Sequence, residues 1–240
     1  MRWFGMMIVA LGLALAPAGA RAETVEVDLE LVLLADSSGS IDDAEIRFQR
    51  QGYAQAIQHP QVLAAIGSGL LGRIAVTYVE WGDETSQDVV VPWTVIDGAA
   101  AARGFADRLM TAPRRAFGFN AIGTALAVGQ ALIEDNDIHG LRRVIDFSAD
   151  SANSWGGVPI DMARESAIAA RITINGLAIL CRDVDCGGRP VDYDLERAFA
   201  ETIIGGPRAF VVTADGPTSF AEAVRRKLIL EIAWAEDIWD

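Results

Sequence analysis

The chain alternates between short apolar runs and stretches whose apolar residues recur at helical spacing. Val25–Ala35 reads as a strand that is apolar at its end. Asp42–His59 carries Ile46, Phe48, Tyr53 and Ile57 among polar neighbours, with acids in its first turn, and predicts a helix. Arg73–Trp81 and Asp88–Val95 predict two strands separated only by Gly82–Gln87, which is hairpin spacing. Pro92 has no amide hydrogen to give to a ladder, so it places the second of these strands at a sheet edge. Helices are expected over Ala99–Met110, Ala121–Asp135, Pro159–Ala170, Leu195–Ile203 and Ser219–Ala233, and strands over Arg142–Ala149, Thr173–Leu180 and Ala209–Thr213. Strands that alternate with helices in this way imply an α/β fold. The expected form is a doubly wound, mainly parallel six-stranded sheet with one antiparallel edge strand from the hairpin.

The first residues depart from this pattern. Arg2, the apolar stretch Met6–Ala16 and the small-residue site Ala20-Arg21-Ala22 have the layout of a secretory leader. Residues 1–22 are therefore read as a signal peptide, 23–234 as one domain and 235–240 as a short tail. The other reading is an uncleaved anchor, for which the apolar stretch is short. An exported protein follows, periplasmic or extracellular, with no membrane insertion after leader removal. Twenty basic residues face 33 acidic ones, a net charge of −13, and both leader arginines leave with the leader. Nucleic acid is excluded as a partner, because a basic footprint is missing. Cys181 and Cys186, the only cysteines, read as a disulfide closing a short loop. Their spacing, without a second Cys or His pair, makes a poor zinc site.

Candidate chemistry gathers at strand ends. The first strand runs directly into Asp36-Ser37-Ser38-Gly39-Ser40, which can turn three oxygens toward one point. Phe117-Gly118-Phe119-Asn120 leads into a helix, and Asp146-Phe147-Ser148-Ala149-Asp150 ends another strand. Open α/β sheets bind ligands beyond the carboxyl ends of their strands. There Asp36, Ser38, Ser40 and Asp150 offer a hard cation such as Mg2+ (or Mn2+/Ca2+) the oxygen ligands it takes, with Asn120 or, alternatively, Thr124 adding a neutral one. Glu80, Asp83 and Glu84 are candidate neighbours of the site, and Asn153, Ser154 and Trp155 of its rim. Asp183 and Asp185 read as a solvated loop, and Glu134-Asp-Asn-Asp137 as a helix end.

This arrangement resembles the von Willebrand factor type A domain and its metal-ion-dependent adhesion site, with Asp36, Ser38, Ser40 and Asp150 at matching positions. Asn120 stands where that family usually has Thr. Runs such as Arg73-Ile-Ala-Val-Thr-Tyr-Val-Glu-Trp81 and Arg142-Arg-Val-Ile-Asp-Phe-Ser-Ala-Asp150 resemble the exported bacterial group called domain of unknown function 1194. The resemblance implies a binding module, not an enzyme, that engages a protein partner presenting an acidic residue to the metal. A metal-free scaffolding domain is the alternative. A metal-dependent phosphoester hydrolase is less favoured: His59, His139 and the sole lysine, Lys227, adjoin no motif residue, and no hydrolase motif is present.

Overall fold

The computed structural model describes residues 24–180 and 192–233. The expected leader, the Cys181–Cys186 disulfide and the tail beyond 234 lie outside the described residues.

The central strand, β1 (Val25–Asp36), is buried along nearly all its length. Leu29, Leu31, Leu33 and Ala35 point into one apolar layer, while Val32 and Leu34 point into the other. That two-sided burial matches the unbroken apolar run Leu31–Ala35 at its end, whereas Glu26, Asp28 and Glu30 alternate with apolar residues nearer its start. β2 (Ile74–Trp81) and β4 (Ile138–Ala149) pair with it in parallel on either side. β3 (Gln87–Ile96) returns antiparallel against β2 as the expected hairpin. With β5 (Thr173–Ile179) and β6 (Val211–Ala214) the strand order is β3-β2-β1-β4-β5-β6.

Helices cover both faces. Buried residues of α1 (Asp43–Ile57), α2 (Pro60–Gly67), α3 (Ala99–Thr111) and α7 (Pro217–Ile232) form one apolar layer with the sheet. Those of α4 (Ile122–Glu134), α5 (Ile160–Ala169) and α6 (Leu195–Thr202) form the other. The fold is thus the doubly wound, mostly parallel sheet that the pattern predicts.

Two differences have clear causes. α2 was not expected, yet Pro60 sets the backbone of its first turn, the His59 ring nitrogen accepts the Gln61 amide at 3.2 Å, and Val62 and Ile66 are buried one turn apart. β4 begins at Ile138 rather than Arg142, because residues 138–140 pair with Val25–Val27 of β1. Backbone pairing, not hydrophobicity, sets that boundary. Both sheet edges are blunted: β3 carries Pro92 and its pairing with β2 shifts register around Tyr78, and β6 has four residues.

Candidate metal centre

β1 and β4 are neighbours in the sheet, and the chain leaves them toward opposite faces, into α1 and α5 respectively. A crevice opens at such a switch point. Asp36, the last residue of β1, lies in it, with Asp150 immediately beyond β4.

The Asp36 loop is held from several directions. Asp36 Oδ1 accepts the Ser38 amide at 2.8 Å, and its carbonyl accepts Gln49 Nε2 of α1 at 3.1 Å. Ser38 Oγ and Ser40 Oγ are 3.3 Å apart, and Ser40 Oγ donates to Asp150 Oδ1 at 3.3 Å. Asp36, Ser38, Ser40 and Asp150 are therefore brought into one chain of oxygens. Asp42 closes the arrangement by capping α1: its Oδ1 accepts the amides of Ala44 and Glu45 at 2.7 and 2.9 Å.

The electrostatics are those of a site short of positive charge. Burial, and then the neighbouring Asp150 charge, push the Asp36 carboxyl up to about 7. Burial also raises Asp150. Asp36 Oδ2 is buried without a hydrogen-bond partner, which is costly for a carboxylate oxygen. Two carboxylates, two hydroxyls and one orphaned oxygen fit a hard divalent cation, since each donor is oxygen and a dication would offset the stacked negative charge. Among the described residues no cluster of three or more His, Cys, Asp or Glu side chains forms, so any cation here would rely on hydroxyl and amide oxygens as well.

Asn120 and Thr124 separate clearly. Thr124 Oγ1 accepts the Val158 amide at 3.1 Å and so supports the loop before α5. Asn120 sits on the loop that touches the serine turn, where the Gly39 amide donates to the Gly118 carbonyl at 2.7 Å. Its own carbonyl accepts the Trp155 amide at 2.5 Å. Ser154 Oγ accepts the Ile122 amide at 3.1 Å and caps α4. Phe119 and Trp155 stand 75% and 67% exposed on these rim loops. Asp83 binds the backbone and hydroxyl of Thr85, and Glu84 Oε2 accepts the Gly157 amide at 2.9 Å. Glu80 turns away from the site and forms a buried two-pronged pair with Arg50 of α1 at 2.6 and 2.9 Å.

Arg114 was not anticipated. Its Nη2 donates to the carbonyls of Ser37 and Ile41 at 2.9 Å each, its Nε to Ser37 Oγ at 3.1 Å, and its Nη1 pairs with Asp43 at 2.9 Å. The guanidinium also lies 4.7 Å over the Phe117 ring. It clamps the serine loop to the segment that leads into Asn120. The signal available in sequence was Arg114-Arg115 just ahead of Phe117-Gly118-Phe119, basic residues beside an acidic loop.

The family model of DUF1194, described as "Protein of unknown function (DUF1194)", matches residues 26–236. The chain belongs to DUF1194. No curated protein matches it in sequence. Solved structures similar to this DUF1194 chain include the pilus adhesin SpaC from Lactobacillus rhamnosus GG, at 12% identity and TM-score 0.60, over 86% of this chain and 31% of the adhesin. Proximal thread matrix protein 1 from the mussel byssus is similar at 16% identity and TM-score 0.59, over 88% of this chain and 50% of its own. A von Willebrand factor type A protein from Catenulispora acidiphila is similar at 18% identity and TM-score 0.57, over 86% of this chain and 43% of its own. This chain therefore spans half or less of these solved chains. At such identities the likeness shows the fold: DUF1194 here has a von Willebrand type A-like architecture.

Proposed function

We propose that this protein is an exported binding module whose domain, residues 23–234, captures a protein partner through a divalent cation. Asp36, Ser38, Ser40 and Asp150 hold the cation, with Asn120 supplying a carbonyl oxygen in place of the usual Thr. Mg2+ is the preferred ion, with Mn2+ or Ca2+ as substitutes. A cation bound by only two carboxylates keeps Lewis acidity for a third, which an acidic residue of the partner supplies. The observation that carries this reading is the buried, unpartnered Asp36 Oδ2 beside the Ser38–Ser40–Asp150 chain. Two neighbours lend support: one mussel thread protein structure is described as having a zinc-occupied MIDAS motif, and SpaC is described as a pilus adhesin.

The leader-like residues 1–22 support a periplasmic or extracellular setting. Among the described residues no helix is long and apolar enough to cross a membrane. For a hydrolase, the histidines are badly placed: His59 caps α2, and His139 pairs with Glu26 near the start of β1, at the far end of the sheet. Isothermal titration of chelator-treated protein with Mg2+, Mn2+ and Ca2+ tests the proposal, repeated with Asp36→Ala. Saturable binding at one site, lost in the variant, is expected, together with chelator-sensitive capture of a partner. No cation binding, with partner capture indifferent to chelator, would replace it with a metal-free scaffold.

A further inference from the structure

The sole lysine of the chain is fully buried. Lys227 lies on α7 with its ammonium beneath the sheet, 2.8 Å from Asp146 Oδ1 of β4 and 2.5 Å from Glu231 Oε1, one turn further along α7. Asp146 and Glu231 are buried as well. Asn175 of β5 fixes the glutamate by donating from Nδ2 to Oε1 at 3.0 Å. The Phe210 ring lies 5.7 Å from the Lys227 nitrogen. Arg142, also at this end of the sheet, gives its Nη groups to the backbone carbonyls of Glu231 and Ile232 at 2.6 and 2.8 Å.

This is a poor ion pair and a good reaction site. One ammonium serves two carboxyl groups away from water. Although Lys227 Nζ is close to Asp146, neither Asp146 oxygen has hydrogen-bond geometry to any partner. The amine presses on the carboxyl group without lying where a hydrogen bond would hold it. Burying charges this way is expensive, and replacing them with a neutral group is often stabilising.

We propose that Lys227 and Asp146 become joined by an intramolecular amide bond, with Glu231 carrying the proton. The ammonium and carboxylate together have the composition of an amide plus one water, so no outside reagent is needed. Glu231 takes a proton from Lys227, leaving a neutral amine, and passes it to an Asp146 oxygen, which makes that carboxyl group the electrophile. The nitrogen pair attacks Asp146 Cγ, the Nζ–Cγ bond forms, and a Cγ–O bond breaks. Glu231 then takes the second proton from the nitrogen and hands it to the departing hydroxyl, which leaves as water, so that one amide N–H, one water and the Glu231 carboxylate remain. Burial raises both acids, and Glu231, at about 7, can take up and release a proton near neutrality. The fold supplies the proximity that makes amide formation rapid between groups fixed in contact. The product ties α7 to β4, the strand that leads into Asp150, and it does so whether or not that site holds a cation.

The test is the intact mass of the purified full chain after reduction. The expected result is a mass lighter by one water, with a protease-resistant link between the peptides carrying Asp146 and Lys227. Lys227→Arg should restore the full mass, and Glu231→Gln should leave most of the protein unlinked. A wild-type mass equal to the sequence, with Lys227 open to an amine reagent after unfolding, overturns the proposal without any variant. Water loss that persists in Lys227→Arg marks a succinimide elsewhere and overturns it too.

Discussion

Arg50→Met should be among the most damaging single substitutions on the α1 face. The Arg50 guanidinium reaches buried Glu80 with two bonds, at 2.6 and 2.9 Å, and also donates to the carbonyls of Ala112 and Pro113. Methionine keeps most of the volume but leaves a carboxylate in the core with no cation. Breaking a buried pair from one side costs about 3–5 kcal/mol. The carbonyls of the 112–113 segment are half-buried or exposed and regain water, so they add little. A loss of about 3–4 kcal/mol corresponds to a fall of roughly 10 °C in Tm for a domain of this size. The double variant Arg50→Met/Glu80→Leu removes both charges and should recover most of that loss. Urea titration of the wild type, Arg50→Met, Glu80→Leu and the double variant, read as a double-mutant cycle, checks both statements. A single-variant loss under about 1 kcal/mol, or a double variant less stable than either single one, would show that the pair is not the buried unit argued here.

Three further outcomes follow. Gly82→Ala should loosen the candidate site, because a Cβ there overlaps the Phe117 backbone while Gly82 also accepts the Ala121 amide at 2.9 Å; expect a loss of about 1–3 kcal/mol and weaker Mg2+ binding by titration. Gly104→Ala in α3 meets no atom within 4 Å and should be neutral or gain up to about 1 kcal/mol by the same urea assay. Stability should fall as pH rises from about 4.5 to 7, because the folded state holds a proton on Glu231, at about 7, that the unfolded chain releases near 4.5. Burial is the largest cause, so this slope persists after amide formation with Asp146, and Glu231→Gln should flatten it in thermal melts across that range.

The strands and their edge hairpin were legible because β1 ends in the apolar run Leu31–Ala35, β2 is rich in β-branched and aromatic residues, and Pro92 marks the edge. The Asp36 loop was legible for the same reason: its chemistry is local, a strand end followed by a turn. Asp150 entered by topology, through the expectation that parallel strands share an edge. What sequence did not show depends on contacts across the fold. The Arg114-Arg115 pair marks basic residues near the site, but only the fold shows that Arg114 grips Ser37 and Ile41. Lys227 and Glu231 stand one helical turn apart, an ordinary surface pair by spacing, and only the packing of α7 on the sheet buries them with Asp146. Glu80 was a candidate neighbour of the site, but alternation along β2 turns it to the α1 face, toward Arg50. The hydroxyl of Thr124, the alternative to Asn120, accepts the Val158 amide, a contact made only when the loop before α5 folds against α4.

The blunted sheet margins bear on how such a protein behaves when crowded. An open sheet invites further strands to add at its margins, and continuous addition is the route to fibrils. Here one margin is interrupted by a residue that cannot donate and by slipped pairing, and the other is only four residues long. Backbone-led, sequence-blind association is therefore discouraged at both flanks. Under the binding-module proposal, lasting contacts would fall instead to side chains at the loop end, such as the exposed Phe119 and Trp155.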